Sequence, residues 1–343
     1  MAGERKRGRP NSPGEQELIA AIRSRAHQQR ANRRKNGILT LGIGDDCAIL
    51  HPERGKELVV TTDLSLENVH FRRDWHPPQS VGHRCLARGL SDLAAMGARP
   101  EAAFLSLAIP AELTGPWMDS FLDGLMALAD LHQVPLAGGD MAKSPLVVAD
   151  IVLMGSVPKG KALLRSGARA GDVIYVTGAL GGSAAELRAL ERRPGDYRGK
   201  YKVGHPHLYP EPRLAAGRKL MRSGLATAAI DLSDGLSTDL AHLCEESRLT
   251  AEINVEALPV DARATLEQAL HGGEDYELLF AAPASVLMPT SLAGVPITRI
   301  GSLKKPHSGR PMMTLLTPDG DRVELNPSGW EHFSSVTRAR KKR

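Results

Sequence analysis

Carboxylates set beside short apolar runs recur along this chain, and they are its most chemically suggestive feature. They occur in Leu41-Gly42-Ile43-Gly44-Asp45-Asp46, Val59-Val60-Thr61-Thr62-Asp63, Gly138-Gly139-Asp140 and Ile230-Asp231-Leu232-Ser233-Asp234-Gly235. Ser91-Asp92 adds another inside a helical pattern. Two carboxylates about 4 Å apart repel by roughly 4 kcal/mol at an effective dielectric of about 20. A hard divalent cation reverses that sign, and a nucleoside triphosphate needs the same cation. The pattern points to a magnesium–nucleotide site. Each segment also has a plain structural explanation. Asp45 and Asp46 suit a turn, and Asp140 can cap a helix or bond its own backbone. Ser233 or Asp234 would cap a following helix. Asp92 shares a stripe with Arg84 and Arg88, as in an ordinary i,i+4 ion pair. Turns and caps alone do not require aspartate at so many strand exits.

The common phosphate-binding motifs are missing. No G-x-x-x-x-G-K-[ST] loop occurs, and Cys47 stands where a dinucleotide fingerprint beginning at Gly42 wants its third glycine. Neither the protein-kinase motif set nor a G-x-S-x-G elbow is present. Phosphoryl transfer by this chain would have to rely on metal ions held by carboxylates.

The elements that must position these residues alternate between helix and strand patterns. Glu15–Arg25, Gly82–Met96 and Thr114–His132 read as helices, the last carrying Phe121, Leu125 and Leu128 on one face. Gly37–Ile49, Leu58–Asp63, Ala102–Ile109, Val134–Ala137 and Leu146–Val157 read as strands. Pro158-Lys159-Gly160 reads as a linker. Beyond it lie the strands Val173–Val176, Thr227–Asp231, Glu252–Val255, Tyr276–Ala281 and Ile297–Ile300. Helices are expected at Gly181–Arg192, Pro212–Ser223 and Gly235–Cys244, and a hairpin around Pro318-Asp319-Gly320. This predicts two domains of α/β (α+β) class: 14–157 and 158–335, between basic tails at 1–13 and 336–343.

Composition narrows the partners. The net charge of +5 conceals a division: residues 1–35 hold ten Lys/Arg against three Glu, and the last six residues hold five more basic groups. The body between them is acidic. No aromatic residues interleave with the basic runs, which argues against nucleic-acid binding. No apolar run reaches the length of a membrane span, and the N-terminal residues do not read as a secretory signal. Cys47, Cys85 and Cys244 have unrelated spacings, as expected of small buried thiols in a reducing cytoplasm.

The order and wording of the segments resemble the thiamine-monophosphate kinase family. Gly42-Ile-Gly-Asp-Asp-Cys-Ala-Ile-Leu50, Thr61-Thr-Asp63, His70-Phe71, Leu90-Ser-Asp-Leu-Ala-Ala-Met-Gly97 and Gly138-Gly-Asp140 carry the first half. Leu164-Arg-Ser-Gly-Ala168, Asp231-Leu-Ser-Asp-Gly235, Gly272-Gly-Glu-Asp-Tyr-Glu-Leu278 and Gly329-Trp-Glu-His-Phe333 carry the second. The resemblance implies a two-domain fold like that of aminoimidazole ribonucleotide synthetase. Its N-terminal sheet domain would dimerise and its C-terminal domain would be α/β. The implied activity is transfer of the terminal phosphoryl group of ATP to thiamine monophosphate, with several magnesium ions, in a cytoplasmic homodimer.

By the same resemblance Asp46, Thr61, Thr62, Asp63, Asp92, Asp140, Asp231 and Asp234 fall on magnesium-binding positions, with Asp46, Asp92 and Asp231 catalytic. Gly139, Asp140, Arg165 and Ser233 fall on ATP positions. His70, Glu274 and Trp330 fall on substrate positions. Structural alternatives stay open for the last three: Trp330 as an apolar plug, His70 as a satisfied strand-end side chain, Glu274 as a turn residue. One departure stands out: Met141-Ala142-Lys143 follows Asp140 where the family usually has threonine. Two rival readings are another ATP-using enzyme of the superfamily and a nucleotide-binding protein without turnover.

Overall fold

Two sheets, each with its own helices, organise the chain. The computed structural model describes residues 15–31, 37–193 and 204–330; the expected tails at 1–13 and 336–343, and the end of the Gly329–Phe333 motif, lie outside these residues. The described residues divide into two units. The first holds those up to Leu93 together with Arg99–Gly160, and the second holds Ala94–Ala98, Lys161–Arg193 and 204–330.

Unit 1 contains α1 (Glu15–Ala31), β1 (Leu39–Leu41), β2 (Ile49–Leu50), β3 (Lys56–Leu66), α2 (Pro78–Ala95), β4 (Arg99–Ile109), α3 (Pro116–Leu131), β5 (Leu136–Lys143) and β6 (Val148–Pro158). Its main sheet runs β3-β6-β4-β5, antiparallel except for the β4–β5 pair. Alternation along β6 buries Ala149, Ile151 and Leu153 and leaves Val148, Asp150, Val152 and Met154 partly open. Period-2 side-chain geometry thus gives the sheet one covered and one open face. Helix α2 lies on the covered face, since a Cβ on Gly89 would stand 2.7 Å from Leu153 Cδ1. Leu86, Leu90 and Leu93 are fully buried, as are Phe121, Leu125 and Leu128 of α3. Each such side chain contributes about 1.5–3 kcal/mol. At the α2–α3 crossing the backbones nearly touch: a Cβ on Gly82 would be 1.9 Å from Phe121 O, and one on Gly124 1.9 Å from Gln79 O.

Unit 2 contains β7 (Val173–Thr177), α4 (Gly182–Arg192), α5 (Leu214–Ser223), β8 (Ala228–Asp231), α6 (Leu236–Ser247), β9 (Thr250–Asn254), α7 (Leu266–His271), β10 (Leu278–Ala282), β11 (Ser291–Leu292), β12 (Val295–Lys304), β13 (Met313–Leu316) and β14 (Arg322–Glu324). The sheet runs β14-β13-β9-β12-β7-β10-β8, with β11 paired to β12. Only β9–β13 is parallel. Every residue of β7 and β10 is buried, which explains their unbroken apolar runs. Ile174, Val176, Leu240, Leu243, Ile253 and Leu279 belong to one core cluster.

Several expectations need correction. Gly37–Ile49 is not one strand; β1 and β2 pair across an irregular loop, 42–48. Asp63 and Gly138-Gly139-Asp140 lie inside β3 and β5, not in turns at strand exits. The cap residue of α6 is Gly235, and neither Ser233 nor Asp234 fills that role. Cys47 is exposed, unlike Cys85 and Cys244. Helix α7 had no counterpart in the sequence reading, although Thr265 and Gln268 form a reciprocal capping box at its start.

Candidate functional site

In unit 1, β3 and α2 bring three of the candidate side chains together. Thr61 Oγ1 donates to Asp92 Oδ2, and Asp63 lies beside them with Arg88 Nε 3.6 Å from its Oδ1. The other Asp63 oxygen, Oδ2, is buried without a hydrogen-bond partner among the described residues. Burial pushes the Asp63 carboxyl up to about 7, the Asp92 carboxylate raises it further, and the Arg88 guanidinium opposes both. Two carboxylates therefore share a low-dielectric patch with one guanidinium.

Strand alternation separates the remaining candidates of this unit. Asp63, Ile151, Leu105 and Gly139 form one cross-strand row, on the covered face. Leu64, Asp150, Ser106 and Asp140 form the next row, on the open face. Thr62 also points to the open face, where its Oγ1 donates to Asp150 Oδ1 at 2.9 Å. Thr61 and Asp63 thus lie on one side of the sheet and Thr62 and Asp140 on the other, one residue apart along the strands. Asp140 is exposed and accepts from its neighbour's N–H, Met141, at 2.8 Å. Gly139 has φ +152, and a Cβ there would stand 1.8 Å from Leu105 O; the β4–β5 pairing admits only glycine.

Asp46 sits in the exposed 42–48 loop, its N–H bonded to Asp45 Oδ1 at 2.9 Å. Helix α1 supports that loop. A Cβ on Gly44 would be 2.5 Å from the Arg23 guanidinium, and His27 Nε2 is 3.3 Å from Ile43 O. His70 follows β3; its Nδ1 accepts from Leu66 N–H at 3.0 Å, which fixes the ring locally. Among the described residues, no group of three or more His, Cys, Asp or Glu side chains is arranged to hold a metal ion unaided.

In unit 2 the turn after β8 is the focus. Asp231 ends the strand and is buried. Glu274 N–H donates to Ser233 O at 2.8 Å and Tyr276 N–H to Leu232 O at 2.9 Å, so residues 231–235 run beside 274–277. Asp239, one turn into α6, accepts from the N–H groups of Ser233, Asp234 and Gly235 at 3.0, 3.0 and 3.1 Å. Burial lifts its carboxyl to about 7, the nearby Asp234 adds to this, and the three N–H donors oppose it. Asp275 accepts from Gly181 and Ser183 N–H at 2.6 and 3.1 Å, capping α4, and burial lifts it to about 7 as well.

On either side of Asp275, Glu274 and Tyr276 have φ of +65° and +51°. Left-handed backbone at a residue with a Cβ costs on the order of 1–3 kcal/mol, and such strain gathers at ligand sites. Glu274 Oε2 lies 3.4 Å from Nδ1 of the buried His207.

A cavity of about 390 Å³ opens beside this turn, a volume within the range of roughly 300–1,000 Å³ usual for small-molecule sites. Its lining includes Leu187, Gln268, His271, Gly273, Gly329 and Trp330. Trp330 is half exposed, which disfavours its reading as an apolar plug. Its backbone N–H donates to Asp234 O at 3.1 Å. Asp231, Ser233, Asp234, Glu274 and Trp330 are therefore neighbours along one turn and its flanking segments. Arg165 is not among them; its carbonyl accepts from Ser247 at the opposite end of α6. The sequence pattern gave no sign of Asp150 or Asp239, offered Arg88 only as an ion-pair partner of Asp92, and left Asp275 without a role inside the Gly272–Leu278 motif. Asp150, Arg88 and Asp275 find their partners on other elements, so spacing carried no signal, whereas the donors to Asp239 lie in the turn just before its own helix.

Two family models match this chain in succession. The N-terminal domain of AIR synthase related proteins matches residues 44–159, and the C-terminal domain of the same class matches 169–301. Thiamine-monophosphate kinase of Salmonella typhimurium is 38% identical over 336 residues, covering 94% of this chain and 99% of that one. The Bacillus subtilis enzyme is 33% identical over 308 residues, covering 85% and 93%. The chain belongs to the thiamine-monophosphate kinase family.

Among solved structures, thiamine-monophosphate kinase from Stenotrophomonas maltophilia K279a superposes with a TM-score of 0.75 at 33% identity, covering 88% of this chain and 97% of that one. AaThiL complexed with AMPPCP and TMP gives 0.72 at 29% identity, covering 93% and 97%. No described helix is long and apolar enough to cross a membrane.

Proposed function

We propose that this protein transfers the terminal phosphoryl group of ATP to thiamine monophosphate, in line, with magnesium ions between carboxylates and phosphates. The observation that carries this reading is the Asp63–Asp92 pair, with one Asp63 oxygen buried and unpartnered. Its donors are all oxygen, and magnesium binds through one or two carboxylates plus substrate phosphates, so two carboxylates are enough. Asp63, Asp92 and Thr61 would hold one ion; Asp46, Asp140, Asp231 and Asp234 are assigned to the others. Bound magnesium would neutralise the phosphate oxygens, which is most of what phosphoryl transfer requires.

The remaining roles belong to the chain itself. Asp239 keeps the Ser233–Gly235 turn in place through three backbone N–H groups. Arg165 offers a planar fork for a phosphate. Glu274 and Trp330 bind the organic part of thiamine monophosphate, and the Trp330 ring face suits its cationic thiazolium, a contact of roughly 0.5–2 kcal/mol. His70 is assigned to the same substrate.

We assign a homodimer to the open face of the unit 1 sheet. Val60 is 61% exposed and Leu64 46%, an apolar strip beside the Thr62–Asp150 pair. The test of function is incubation of purified protein with ATP, magnesium and thiamine monophosphate. Folded protein that forms no thiamine diphosphate would refute the assignment. Magnesium-dependent ATP binding without transfer would favour the non-catalytic reading, which Met141 in place of threonine and the basic runs of the sequence suggest.

A further inference from the structure

Residues 328–330 form a short strap fastened along the start of α6. Three consecutive backbone N–H groups make the attachment. Ser328 N–H donates to Ser237 Oγ at 3.3 Å, Gly329 N–H to Thr238 Oγ1 at 3.1 Å, and Trp330 N–H to Asp234 O at 3.1 Å. The fit leaves no room for a side chain in the middle, since a Cβ on Gly329 would stand 1.9 Å from Asp234 O and 2.5 Å from Thr238 Oγ1. Ser237 Oγ is also 2.8 Å from His271 Nδ1. The same hydroxyl thus joins the strap to that ring. Ser237 is fully buried, and His271 lines the same cavity as Trp330. Two hydroxyls thus tie the cavity's aromatic wall to the first turn of α6, and the Asp234 carbonyl ties it to the turn that carries Ser233 and Asp234.

We infer that Ser237 and Thr238 are positioning residues for the organic half of the phosphoryl acceptor. They hold the Trp330 ring at the cavity edge, beside the Asp234 carbonyl that links the strap to the turn assigned above to magnesium and ATP. This inference rests on the functional reading above and deepens it. Neither hydroxyl touches the substrate in this scheme; both act through the strap. Because the strap's third attachment is the carbonyl of Asp234, any ligand that orders the 231–235 turn also orders Trp330. Occupancy of the turn and of the cavity should therefore reinforce each other, in the manner of one ligand relieving the ordering cost of the next.

The test uses the full chain with Trp75→Phe and Trp117→Phe as background, which leaves Trp330 the sole tryptophan, since the sequence has three. Into it go Ser237→Ala, Thr238→Val, the pair together, and the hydroxyl-retaining Ser237→Thr and Thr238→Ser. A lost hydrogen bond of this kind costs a few-fold in binding, so the pair should raise KM for thiamine monophosphate about tenfold. KM for ATP should move by less than about threefold, and both conservative variants should restore the parent value. Amide exchange at 328–330 should accelerate, and Trp330 emission should shift toward that of a solvated indole.

Equal rises in both KM values, or unchanged exchange and emission in a folded Thr238→Val protein, would overturn the inference. Thr238→Val is nearly isosteric and serves if Ser237→Ala fails to fold. A parent protein that makes no thiamine diphosphate would defeat the functional reading instead. The exchange and emission measurements would still decide the strap.

Discussion

Unit 1 and unit 2 each hold carboxyl groups raised to about 7, yet the two kinds of carboxylate are built differently. In unit 2, Asp239 gathers three backbone N–H groups on its Oδ2, and Asp275 takes one on each of its two oxygens. They are buried but satisfied, and what they hold is a loop and a helix end. In unit 1, Asp63 faces a second carboxylate and keeps one oxygen without a hydrogen-bond donor among the described residues. A raised pKa alone would rank the three alike. Hydrogen-bond accounting separates a group that fastens the backbone from one with an oxygen left open, the group to which a cation is assigned above.

The sharpest way to break this contrast is to remove charge on each side. Asp63→Asn and Asp92→Asn should each lower kcat/KM by about 100-fold or more, with the thermal midpoint in the absence of magnesium kept or raised. Steady-state kinetics beside a melting curve checks this; near-parent rates in both variants would end the cation argument.

Asp275→Ala should behave in the opposite way. It strands two N–H groups at the start of α4 and should cost about 2 kcal/mol, read from urea unfolding. A third outcome concerns pH. A carboxyl raised from 3.8 to about 7 stays protonated in the folded protein while the unfolded chain has already ionised. Stability should therefore fall as pH rises from about 4 to about 7, then level off. In Asp275→Ala that slope should be shallower by up to one proton. The smallest effect is a ligand shift. Magnesium with ATP should raise the melting temperature of the parent by a few degrees, on the order of 1–2 kcal/mol of linkage, and by less in Asp63→Asn.

Much of this was legible in the residues. The periodicity of Leu86, Leu90 and Leu93, and of Phe121, Leu125 and Leu128, marked buried helix faces correctly. Pro318-Asp319-Gly320 marked the β13–β14 hairpin. The wording of the acidic segments gave the family. What failed was the reading of Gly138-Gly139-Asp140 as the exit of a strand ending at Ala137. Two glycines in a row signal a bend locally, but here they let β5 lie close against Phe104 and Leu105 of β4. A tertiary contact overrode the local preference. The alternation of Thr61, Thr62 and Asp63 across the sheet was in principle readable, because adjacent strand residues face opposite ways. Asp239 could not be read, since its acceptor role depends on how the preceding turn folds back over α6.

The α2–α3 crossing sets a condition on everything α2 carries. At Gly82 and Gly124 the separation is fixed by main chain against main chain, with no side chain to trim or enlarge. Exchanging core residues elsewhere in unit 1 cannot relax that point; it can only swing the helix about it. Asp92 lies ten positions along from this fulcrum, about 15 Å at a helix's rise, and so at the end of the lever arm. Small errors of packing near Phe121 would be magnified there, where Asp92 meets Asp63 and Thr61.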